Sequence, residues 1–146
     1  MKRSPELAPL SRDHHVALEV ALRLRRSEPG TVAAAVERFG EFWHPRGARH
    51  FEVEEEVLLP ALPADDPAWS EATARVRREH DDIRSRAEDL LKEGASGSAD
   101  AARELGERLH DHVRYEERRL FVLLEERLRG EELAALGRAI DAAERG

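Results

Sequence analysis

The segment His50-Phe51-Glu52-Val53-Glu54-Glu55 returns sixty-two residues later as His112-Val113-Arg114-Tyr115-Glu116-Glu117. An apolar run follows each copy, Val57-Leu58-Leu59 in the first and Leu120-Phe121-Val122-Leu123-Leu124 in the second. A helix turns about 100° per residue, so positions i and i+4 stand nearly in line, roughly 6 Å apart along the axis. Each copy therefore projects one imidazole and one carboxylate from a single helical face. That is how a helix offers two ligands to one metal centre, and two such helices make a dinuclear site the natural candidate.

The rest of the chain narrows the setting. With 146 residues it has the length of one domain with a real core. Charged residues make up 38% and aromatics 5%, a mix that favours amphipathic helices over sheets. The net charge of −7, with basic residues interleaved among acids, argues against nucleic-acid binding. Without cysteine there is no disulfide, thiolate site or thiol chemistry. Met1-Lys2-Arg3 is not followed by the apolar run of a signal peptide. No stretch of about 18 apolar residues is present to span a bilayer. These features predict a soluble cytoplasmic protein with no membrane partner.

Helix signals recur between short breaks. Ser11 is the expected N-cap of a first helix ending near Arg26, and Pro29-Gly30-Thr31 reads as a turn with a cap. A second helical segment is expected over about 32–59, stopping at Pro60, with a kink or restart at Pro45 and Gly47 that puts His50 on a fresh stretch. After a loop over 60–67, the third helix is expected from Pro67 to Glu93, then a flexible connection over 94–98. The fourth is expected over about 99–129, ended by Gly130, and a short amphipathic helix over about 131–144 carries Leu133, Leu136 and Ile140 on one side. The predicted fold class is all-α: an up-down-up-down four-helix bundle (core about 10–129) with a short additional C-terminal helix, in one domain over 1–146. The last helix is expected to act as a lid or as a surface for a protein partner.

The first and third helices also carry acidic–histidine pairs, within Asp13-His14-His15 and Glu79-His80. An antiparallel bundle lets all four helices send these groups into one central layer. Ionised carboxylates in an apolar core cost several kcal/mol unless compensated. Two divalent cations would compensate them, with carboxylates bridging and neutral imidazoles completing the shells. A nitrogen-and-oxygen donor set without sulfur suits iron, manganese or zinc. One isolated His-x-x-x-Glu in so acidic a chain reads best as a solvated surface pair. Two copies beside buried-type neighbours such as Phe51, Val57 and Leu58 read better as a site.

Four motifs together resemble the hemerythrin-like cation-binding domains over roughly residues 10–125: Ser11-Arg12-Asp13-His14-His15, the His50–Pro60 stretch, Arg78-Glu79-His80-Asp81-Asp82-Ile83, and the His112–Phe121 stretch. The resemblance implies a four-helix bundle holding a non-haem di-iron centre, with manganese or zinc as alternatives. The ligands it implies are a helix-one histidine, His14 or His15, together with His50, Glu54, His80, His112 and Glu116. Glu54 and Glu116 would bridge. Leu10, Ala17, Leu18 and Ala21 centre on the face of His14, which favours it over His15. Oxygen-carrying members use a carboxylate five residues after the histidine, which keeps Glu117 open beside Glu116. His110 falls on another face and reads as a surface residue, while His44, next to Pro45, reads as a cap of the restarted helix.

Oxygen carriers also have a second helix-three histidine, four residues after the first, where this chain has Arg84. Arginine stays protonated and ligates no metal. Water or an extra carboxylate would fill the lost position, and Tyr115 is a further neighbour to consider. The leading expectation is a non-enzymatic di-iron protein that binds or senses oxygen or a related small ligand. The alternatives are a di-iron redox enzyme acting on peroxide, nitric oxide or ferrous iron, and a helical interaction module with a structural metal.

Overall fold

Proline and short polar side chains set where the helices begin. This computed structural model describes residues 2–94 and 98–146. Helix α1 (Ala8–Arg25) follows a 3₁₀ turn over Pro5–Leu7, and both Pro5 and Pro9 sit in first turns, where no backbone N–H is needed. The start thus lies ahead of the expected cap: Ser11 is inside the helix, and its hydroxyl donates to Glu117 Oε2 at 2.8 Å. Pro67 opens α4 (Pro67–Glu93), capped by the Asp66 carboxylate that accepts from Trp69 N–H. Ser98 caps α5 (Ala99–Tyr115) in the same way through Ala101 N–H. Of the expected connection at 94–98, residues 95–97 lie outside the described residues.

The second bundle helix is broken as the sequence predicted. Helix α2 (Val32–Phe42) ends in a kink over Trp43–Gly47, where His44 leaves helical geometry (φ −110°, ψ 107°) and the His44–Pro45 peptide is cis. Helix α3 (Ala48–Val53) then starts without a side-chain cap, so His44, which is exposed, does not cap it. Helix α3 runs into a widened, π-type turn at Glu54–Leu58 and a 3₁₀ turn at Leu59–Ala61. The fourth bundle helix has the same build: α5, a π-type turn at Glu116–Leu120, then α6 (Phe121–Arg127), two residues short of the expected end. Both widened turns begin on the glutamate of the repeat, and such turns gather at functional sites because they re-aim side chains.

Helix α1 packs on α2 and α5, and α4 closes the square against α5 and α2, giving the all-α up-down-up-down bundle. Helices α1 and α5 come close at Gly106, where a Cβ would lie 2.8 Å from the Ala21 carbonyl of α1. Gly130 (φ 57°) reverses the chain into α7 (Glu131–Arg145). Leu136 and Ile140 of α7 are buried, with Leu133 partly so, against the Pro5–Leu7 turn and the Glu54–Leu58 turn. The bundle itself therefore covers that stripe. Among the described residues no helix is long and apolar enough to cross a membrane.

The apolar core comes in two blocks. One gathers Val20, Leu24, Phe39, Trp43, Leu90 and Leu105, the other Leu10, Leu58, Trp69, Val76, Phe121 and Leu124. Burying each large side chain contributes about 1.5–3 kcal/mol, and that apolar packing secures the layer lying between the blocks. That layer is polar.

Candidate metal centre

His14, His50, Glu54, His80, His112 and Glu116 are all buried and meet at one level of the bundle. They form two groups of four, His14–His50–Glu54–Glu116 and Glu54–His80–His112–Glu116, each with ligand atoms within 4.8 Å of one another. The two glutamates are common to both. Glu54 sends Oε2 to His50 Nε2 (3.0 Å) and Oε1 to His80 Nε2 (3.0 Å). Glu116 sends Oε1 to His14 Nε2 (2.8 Å) and Oε2 to His112 Nε2 (3.0 Å). Each carboxylate thus faces both histidine pairs, one oxygen to each.

The outer edge of every imidazole is held by a second carboxylate. His14 Nδ1 meets Glu117 (2.5 Å), His50 Nδ1 meets Asp13 (3.0 Å), His80 Nδ1 meets Glu55 (2.7 Å) and His112 Nδ1 meets Glu79 (2.8 Å). These carboxylates are sequence neighbours of one inner residue but bond to another on a different helix. Asp13 precedes His14 and serves His50; Glu79 precedes His80 and serves His112. Glu55 follows Glu54 and serves His80; Glu117 follows Glu116 and serves His14. An arginine in turn holds each one: Arg46 on Asp13, Arg84 on Glu55, Arg75 on Glu79 and Arg3 on Glu117.

Charge governs this layer. Burial alone would push the imidazoles down, but Glu116, Glu117 and Glu54 lift His14 to about 10. Glu116, Glu54 and Glu55 likewise lift His80 to about 10 against its burial. His50 and His112 are also raised despite burial, chiefly by Glu54 and by Glu116. Burial and Glu116 push Glu54 up, and the neighbouring imidazoles of His50 and His14 outweigh them. Burial also opposes ionisation of Glu55, yet His80 and Arg84 hold it at about 2. With neutral imidazoles, the four outer carboxylates each have a guanidinium while Glu54 and Glu116 have none, which leaves two negative charges buried in the layer. The upward shifts of the four imidazoles favour protons on the histidines in the metal-free chain, which would offset that charge. Cations would take over that role and release the protons.

The donors fit cations. Ligand–metal bonds of about 2.0–2.2 Å place adjacent ligands about 3 Å apart, and the inner contacts run from 2.8 to 3.2 Å, including His14 Nε2 to His50 Nε2. His112 Nε2 and Glu116 Oε2, though 3.0 Å apart, are buried and make no hydrogen bond of acceptable geometry to each other or to any other described residue. Orphaned buried acceptors and donors are rare without a ligand or water to satisfy them.

Every residue singled out from the sequence can now be placed. His14 is in the layer, while His15, the next residue round α1, is exposed. Glu116 faces the histidine pairs and Glu117 stands behind His14. His110 is part-exposed and bonds Asp111. The Tyr115 ring lies under the Arg75 guanidinium (3.8 Å) at the edge of the apolar block. Arg84 points outward to Glu55, and Glu55 is engaged at the back of His80 instead of filling a ligand position. Sequence reasoning named Asp13, Glu79, Glu117 and Arg84 but missed their part in holding the imidazoles from behind, and it missed Glu55, Arg3, Arg46 and Arg75 as site residues altogether. Its one signal was an acid directly beside each of four inner residues.

A bundle whose centre joins four imidazoles through two shared glutamates is a carboxylate-rich metal-binding helical bundle. The sequence matches the Hemerythrin HHE cation binding domain over residues 7–124, and the chain belongs to that family of metal-binding proteins. No curated protein and no solved structure matches it.

Proposed function

We propose that the chain is a di-iron protein that binds or senses oxygen or a related small ligand, with His14, His50, His80, His112, Glu54 and Glu116 as the ligands. The observation that carries the reading is the placement of Glu54 and Glu116, each with one oxygen toward either histidine pair. A single cation would use only one such pair. Iron bound there would supply the reversible electron donation that oxygen binding requires.

The chain's own residues supply the rest. Beside His14, His50 and His112 lies a cavity of about 10 Å³, walled by Ala17, Phe42, Trp43, Phe51, Leu109 and Val113. The cavity is about water-sized, so a diatomic would enter only as its walls give slightly, and those apolar walls favour an apolar diatomic over water. With metal bound, the outer carboxylates would accept Nδ1–H and leave each Nε2 lone pair facing inward. Anaerobic loading with iron, metal counting and addition of oxygen test the reading. Two irons per chain with a reversible, oxygen-dependent visible band are expected. Irreversible bleaching with peroxide consumption would instead make it an enzyme, and two irons without any response would make the metal structural.

A further inference from the structure

Two of the four outer assemblies share a second feature. Arg84 grips Glu55 with both ends of its guanidinium (2.8 Å each), and Glu55 holds His80 Nδ1. The same guanidinium lies 5.6 Å from the centre of Phe51, whose ring stacks on His80 at 3.8 Å and 8°. Across the layer, Arg3 reaches the Glu117 carboxylate (3.2 Å) and the Glu117 carbonyl (2.6 Å), and Glu117 holds His14 Nδ1. Arg3 also lies 5.2 Å from the centre of Phe121, whose ring stacks on His14 at 5.2 Å and 14°. In both places one arginine contacts a histidine's carboxylate and the aromatic ring on that histidine's face.

The likeness does not follow from the sequence repeat. Phe51 comes one residue after His50, whereas Phe121 comes nine residues after His112; Arg84 is on α4 and Arg3 precedes α1. The other two arginines, Arg46 and Arg75, are about half exposed and make no such sandwich on their histidines. Each histidine pair therefore contains one clamped imidazole, His14 in one and His80 in the other. Carboxylate and ring constrain different motions: the hydrogen bond sets the tautomer and in-plane direction, and the stacked ring blocks rotation out of that plane.

We propose that Arg3 and Arg84 are positioning residues, one for each metal position, clamping His14 and His80 through a carboxylate at the ring edge and a phenyl group on its face. The inference rests on the two-metal reading above. On it, Arg84 is the counterpart of Arg3 and sets the strength of the His80–His112 position.

Cobalt(II) titration of the full chain, with imidazole ¹⁵N spectra of the zinc-loaded protein, provides the test. The unaltered chain takes two ions. Arg84→Ala is expected to weaken one binding step by about tenfold to a hundredfold and to shift the His80 nitrogen resonances while leaving those of His14 in place. Arg3→Ala is expected to do the reverse. Arg84→Lys keeps the charge without the fork or the flat face, so it restores only part of the loss. Should Arg84→Ala lose helical circular dichroism, Arg84→Gln serves with the same expectation. Equal weakening of both steps, or unmoved His80 resonances with two ions still bound, overturns the clamp and leaves the two-metal reading standing. A native chain that takes fewer than two ions overturns both.

Discussion

The His14–His50 half of the layer and the His80–His112 half use the same donors in the same arrangement, yet they are packed differently. Three residues after the helix-one histidine stands Ala17, and three after the helix-three histidine stands Ile83. One residue after His50 stands Phe51, stacked on His80; one after His112 stands the smaller Val113. Ala17 and Val113 wall the small cavity, which borders both histidines of one pair, His14 and His50, but only His112 of the other, while Ile83 is buried at 1% exposure. A repeat can thus duplicate a ligand set while apolar neighbours decide which half has room. Charge builds the site, and volume differentiates it.

The strongest way to break this comparison is to remove what the halves share. Glu116→Ala deletes the oxygens facing both histidine pairs and is expected to bring metal content close to zero, whereas His50→Ala removes a donor from one half only and should leave about one ion per chain. In the metal-free chain, Glu116→Ala also leaves buried imidazolium uncompensated, at a cost of about 3–5 kcal/mol in urea unfolding. Elemental analysis showing one ion retained in Glu116→Ala would refute the shared role.

Exchanging the volumes comes next. Ile83→Ala should destabilise the chain by about 2–5 kcal/mol and open space in the closed half. Ala17→Ile should cost about 1–3 kcal/mol by overpacking and block oxygen binding without changing metal content. If Ala17→Ile bound oxygen as the native chain does, the cavity would not be the ligand's place.

Titration should reveal the sameness of the halves. His14 and His80 both stand at about 10 in the folded chain, above the ordinary 6.5. Their pairing therefore stabilises the metal-free fold fully below pH 6.5 and is lost as pH rises toward 10. Melting temperatures of chelator-treated protein are expected to fall across that window, while metal affinity rises because fewer protons must leave. A flat profile would show that the imidazoles do not carry the charge. The smallest effect belongs to the exposed ends of the outer assemblies: Arg46→Ala and Arg75→Ala should each change stability by about 1 kcal/mol or less.

Much of the fold was legible because helix boundaries are local events. Pro67, Glu93, the break at Pro45 and the turn at Gly130 stand where proline, glycine and periodicity put them. Ser11 misled because a serine before an acidic turn looks like a cap, while Pro5 and Pro9 had already started the chain into helix. The inner residues were readable too, since i,i+4 spacing puts an imidazole and a carboxylate on one face. Asp13 and Glu79 were visible only as companions of His14 and His80. Their bonds run to His50 and His112 on other helices, a pairing that depends on rotation and depth within the bundle.

The sequence by itself determined the helices, the repeated donor pairs and the family, because each follows from spacing along one chain. Tertiary structure alone decided that Glu54 and Glu116 face both histidine pairs, that Arg84 turns to Glu55, and that Arg3 reaches across to the layer from near the chain start. Which oxygen meets which nitrogen depends on how four helices are rotated against one another, and that is set by the packing of the two apolar blocks above and below the layer.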